Sequence, residues 1–207
     1  MAIRTANNQS LTEITAVPSA VALGGMVLLE TQTASSSATI SFTSNIDSTY
    51  KEYIFKFMDV HAATNRALLT FNLSIDSGSN YNVTKTTTFF TALHYEDDTA
   101  GDPDVYNVGG KDLAQGTGFQ TLLGNLTTDN DSSGSGYLHL FDPSSDVFVK
   151  HFISRCSALG EPAGGDDYLY NPHIAGYANT TSAVDAVQFK MDTGNIDAGT
   201  FKLYGVT

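Results

Sequence analysis

Asp129-Asn130-Asp131-Ser132-Ser133-Gly134 sets side-chain oxygens ahead of a glycine turn, the opening of a calcium loop. A helix–loop–helix calcium site closes with a bidentate glutamate, and the residue at that spacing is Leu140. Asp129 and Asp131 therefore remain as weak metal candidates, and a polar hairpin loop is the better account. Glu96-Asp97-Asp98 with Asp102 and Asp104 is a second carboxylate group, which on so acidic a chain reads as a solvated loop. The histidines (His61, His94, His139, His151, His173) are scattered, without His-x-His or His-x-x-x-His spacing and with no Gly-x-Ser-x-Gly nucleophile context. No catalytic residue, metal set or cofactor motif is assigned.

The richest segment runs from Asp166 to Tyr177. Asp166, Asp167, Tyr168, Tyr170, His173 and Tyr177 mix aromatic rings with carboxylates. Carbohydrate sites use that mixture, because rings stack on sugar faces while carboxylates accept hydroxyl hydrogen bonds. The competing account is a loop whose tyrosines pack on a neighbouring subunit.

The elements that must position these residues read as strands. Leu69, Phe71, Leu73 and Ile75 alternate with Thr70, Asn72 and Ser74, which predicts a half-buried antiparallel strand. Thr39 to Thr43, Lys85 to Tyr95, Gly136 to Asp142 and His173 to Tyr177 add further strands. Glu52 to Val60 and Val147 to Ala158 are apolar on both faces, so they belong in the centre of a sheet or at a subunit contact. Ala186 to Met191 and Gly199 to Val206 flank an Asp-Thr-Gly-Asn turn and predict a β-hairpin. Asp47 to Glu52 resembles a capped helical turn, and Glu96 to Gly118 an excursion that packs outside the main body. No window holds a sustained 3.6-residue apolar stripe. The expected fold is all-β, a jelly-roll-like antiparallel β-sandwich over residues 26–207.

Residues 1–25 differ in texture, with Pro18 and Gly24-Gly25 interrupting an apolar stretch. They read as an extended N-terminal arm whose Leu11, Ile14, Val17, Val21 and Leu23 need a partner surface. The stretch is too short to span a bilayer and is a poor signal peptide. Charged residues make up 15% of the chain and the formal net charge is −12. With few basic residues and no basic run, nucleic acid and anionic membrane surfaces are set aside as partners. Cys156 is the single cysteine, so an intrachain disulfide is excluded, and its apolar surroundings predict a buried thiol.

Four segments carry a resemblance: Ile46 to Tyr53, Ser77-Gly78-Ser79-Asn80-Tyr81, Ala183 to Met191, and Gly199-Thr200-Phe201-Lys202-Leu203-Tyr204-Gly205. They resemble small virion proteins of tailed bacteriophages, cyanophages and other marine phages above all. The likeness spans most of residues 26–207 and implies a non-enzymatic structural role on the virion: capsid decoration, head fibre or tail fibre, often as a homotrimer. It carries no catalytic residues. The implied partners are further copies, other capsid or tail proteins and, for a fibre, a host surface glycan. The acidic charge favours the outer surface of the particle over a position lining the genome.

Overall fold

The computed structural model describes residues 25–97, 105–107, 109–161 and 167–207. Among these, twelve strands and no helix are found: β1 (Met26–Ser37), β2 (Ile40–Phe42), β3 (Glu52–Ala62), β4 (Ala67–Ser74), β5 (Lys85–Tyr95), β6 (Val105–Asn107), β7 (Gln120–Leu126), β8 (Gly134–Phe141), β9 (Lys150–Gly160), β10 (Tyr168–Ala178), β11 (Ala186–Met191) and β12 (Ile196–Val206). The predicted arm and its five apolar anchors lie outside the described residues.

All pairings are antiparallel. β1 pairs with β12, β2 with β11, β3 with β8 and β4 with β7. That is one long folded-back ribbon, and β12–β3 and β11–β4 pairing rolls it into a sandwich. Strands ordered β1-β12-β3-β8 in one layer and β2-β11-β4-β7 in the other are the jelly-roll arrangement. The β5–β6 and β9–β10 pairs are insertions into it. They extend the first layer beyond β8 in the order β9, β10, β5, β6. The two layers join at one corner, where Leu126 of β7 pairs with Gly160 of β9.

This topology corrects the predicted C-terminal hairpin. β11 and β12 are consecutive but do not pair; β11 lies between β2 and β4, and β12 between β1 and β3. The turn exists, with Gly194 at φ 70°, yet it carries the chain across from one layer to the other. Asp47 to Glu52 also departs from expectation. Asp47 accepts the Thr49 amide through Oδ1 at 2.8 Å, an Asx turn without helix.

The core fills the space between the layers. Phe189 of β11 packs within 5.4–6.5 Å (ring centroids) of Phe42, Phe55, Phe57, Phe71 and Phe201. Phe71 meets Phe152 edge-on at 5.2 Å. The predicted half-buried strand is buried on both sides, because Thr70, Asn72 and Ser74 are covered too, while Ile75 is exposed. The cover over Asn72 comes from the flanking loops: its side-chain amide donates to the carbonyls of Tyr81 (2.6 Å) and Thr117 (3.0 Å). Thr117, near the end of the excursion after β5, thus lies over the smaller layer.

Candidate functional site

Strand alternation divides Tyr168 to Tyr177 between two faces. Tyr168 and Tyr170 point inward and are 3% and 4% exposed. The Tyr168 hydroxyl accepts the Asn125 side-chain amide at 2.6 Å, and its ring packs on Tyr95. Both rings fit because the facing residues are glycines: a Cβ at Gly160 would sit 2.7 Å from Tyr168, and one at Gly124 3.1 Å from Tyr170. Neither ring can stack on a sugar, which corrects the six-residue glycan set. His173 and Tyr177 lie with Asn171 on the opposite, outward face. Asp167 stands just before β10, and its carboxyl is pushed up by burial and by the nearby Asp129, Glu161 and Asp131. Asp166 lies outside the described residues.

The outward face of the large layer is where interaction chemistry collects. The register runs Thr31, Lys202, Lys56, Tyr137, Arg155, His173 and Phe90 in one row across β1, β12, β3, β8, β9, β10 and β5. The adjacent row carries Tyr204, Ile54, His139, Ile153, Ala175 and Thr88. Lys56 Nζ sits 5.5 Å from the Tyr204 ring centroid, and His173 stacks on Phe90 at 4.9 Å. Burial, with Arg155 beside it, lowers the His173 pKa and favours the neutral ring. His139 Nδ1 lies 2.5 Å from Glu52 Oε1.

Large apolar side chains stand open on this same face: Phe90 is 44% exposed, Ile153 49% and Leu169 50%. Two shallow depressions flank them. One of about 600 Å³ includes His94, Ser135, Ser157, Leu159 and Leu169; the other, about 480 Å³, includes Thr86, Thr88, His151, Ile153 and Tyr177. The layer beneath is held by hydrogen-bonded neighbours on both sides of β8, β9, β10 and β5, so these side chains are displayed on a stiff surface. Exposed apolar area on such a scaffold is available for contact with another surface. The sequence carried part of this signal in Ile153 of the Val147–Ala158 segment, although the rest of the outward side of that segment in β9 is His151, Arg155 and Ser157 rather than apolar. Lys56, Lys202 and Arg155 lie far apart in the chain, and only the pairing aligns them.

Asp129 uses its backbone carbonyl toward His61 Nε2 at 3.1 Å. Among the described residues no three His, Cys, Asp or Glu side chains gather closely enough to hold a metal ion. Cys156 is buried as expected and its thiol is pushed up to about 12, so it is protonated at neutral pH. Val147 and Phe148 precede β9 rather than joining it, and both are exposed. Comparison with known proteins finds no matching family model, no matching curated protein and no matching solved structure.

Proposed function

We propose that this chain is a structural, non-enzymatic building block of a tailed-phage particle, an outer-capsid decoration or head-fibre protein that assembles through the outward face of its large sheet. The observation that carries the reading is the exposure of Phe90, Ile153 and Leu169 on one rigid face. A monomer gains nothing by leaving these side chains in water, whereas burying one is worth about 1.5–3 kcal/mol. The jelly roll supports the reading, because it presents broad sheet faces that tile against neighbours. The resemblance of the Ile46–Tyr53 and Gly199–Gly205 segments to virion proteins adds the setting, and the net charge of −12 favours the outside of a particle over contact with its genome. Homotrimerisation is the proposed state.

A tail-fibre module that recognises a host glycan is the second reading. It draws on Asn171, His173 and Tyr177, which share the outward face beside the smaller depression. Two measurements separate the readings. Light scattering is expected to show an oligomer that Ile153→Asp with Leu169→Asp converts to monomer, and gold-labelled antibody is expected to decorate the capsid of purified particles. A monomeric wild type labelled only at the tail, with glycan-array binding lost in His173→Ala, would replace the first reading with the second.

A further inference from the structure

One row of the outward face is cationic. The row Lys202, Lys56, Arg155 and His173 crosses the outward face without a carboxylate in it, and among the described residues none of the three permanent cations forms an ion pair. At one end of the sandwich lies a cleft of about 370 Å³ that includes Asp59, His61, Asn130, Asp131, Ser132 and Asp197. His61 Nδ1 is 3.3 Å from Asp197 Oδ2 and is held from behind by the Asp129 carbonyl. Ser132 is 3% exposed and its Oγ has no hydrogen-bond partner. A buried hydroxyl without a partner is costly unless something supplies one. Carboxylates crowd this end, as the raised Asp167 pKa records after burial: Asp129, Glu161 and Asp131 are the charges that push it up.

The cleft is rich in acceptors, and since the described carboxylates do not gather tightly enough for a metal, it suits a cationic side chain. An exposed guanidinium or ammonium would donate to Asp59, Asp131 and Asp197, in the cleft that Ser132 also lines. The molecule itself supplies such groups in the Lys202–Lys56–Arg155 row. We propose that copies of this chain associate face to end, the Lys202–Lys56–Arg155 row of one docking on the Asp59–Asp131–Asp197 cleft of the next. The inference rests on the assembly reading above and names the partner of that face. Because two different patches meet, the contact is heterologous and either closes into a ring or runs on as a filament.

Sedimentation velocity on the full chain tests it. The wild-type association constant is expected to fall about tenfold or more between roughly 0.05 and 0.5 M salt. Arg155→Glu with Lys56→Glu, and separately Asp131→Lys with Asp197→Lys, are each expected to remain monomeric. Mixed in equal amounts they are expected to associate again, because each retains the patch the other lost. All substitutions lie at solvent-accessible positions, and an unchanged β-type circular-dichroism spectrum certifies the fold. Reversed variants that associate as tightly as wild type, or a mixture that stays monomeric, overturn the proposal. If Ile153→Asp with Leu169→Asp abolishes assembly while both charge reversals leave it intact, the assembly reading stands and the face-to-end contact falls.

Discussion

Lys85 shows how one residue can record its surroundings in a measurable way. It is fully buried at the start of β5, where Nζ donates to Asn72 Oδ1 (2.5 Å) and to the Val83 carbonyl (2.7 Å). Among the described residues no carboxylate offsets its charge, and burial lowers its pKa from 10.5 to about 8. Below pH 8 both folded and unfolded chains carry the proton, and the full cost of burying an ammonium weighs on the fold. Between about 8 and 10.5 the folded protein holds fewer protons than the unfolded chain, so stability rises with pH. Cys156 and Tyr53, both raised by burial, act in the opposite sense above their ordinary values of 9.0 and 10.0. The Lys85 effect is therefore expected between about pH 8 and 9. Urea unfolding across that range should show wild type gaining on Lys85→Met by about 1 kcal/mol per pH unit. A constant difference would mean that Lys85 is not buried as a charge.

At the scale of the element, alternation decides which side chains face in and glycine decides what fits. β10 turns Tyr168 and Tyr170 into the sandwich, and Gly160 and Gly124 leave room for their rings. Gly160→Val would set a branched side chain against Tyr168 in a place with no slack, and is expected to cost about 1–3 kcal/mol. Gly118→Val, where a Cβ meets nothing within 4 Å, is expected to stay within about 0.5 kcal/mol of wild type. Equal losses in the two variants, measured by chemical denaturation, would refute the packing argument. The outward residues of the same strand, Leu169, Asn171, His173 and Tyr177, are thereby left on the proposed interface.

Across the whole molecule, the jelly roll joins strands that are remote in sequence. β1 and β12 lie side by side, and the insertions β9–β10 and β5–β6 widen one layer into the proposed interface. Phe189 sits where β2, β3, β4 and β12 converge, touching an aromatic ring from each. Phe189→Ala is expected to cost about 3–5 kcal/mol, since the rings around it cannot collapse together into the space. Thermal unfolding checks this; a loss below about 1 kcal/mol would mean a loosely packed centre.

The chain's own residues determined the strands and most turns, because period-two alternation and turn formers act over a few neighbours. Leu69 to Leu73, Glu52 to Val60 and the Gly194-Asn195 turn were legible for that reason. Partner choice was not. The turn between β11 and β12 has the residues of a hairpin, but β11 pairs with β2 and β4 and β12 with β1 and β3, in opposite layers. Tertiary structure alone turned Tyr168 and Tyr170 inward, because a strand's two faces look alike in sequence until one is covered. It alone brought Lys202, Lys56 and Arg155 into one row, since register between distant strands is set by the packing of the whole sandwich.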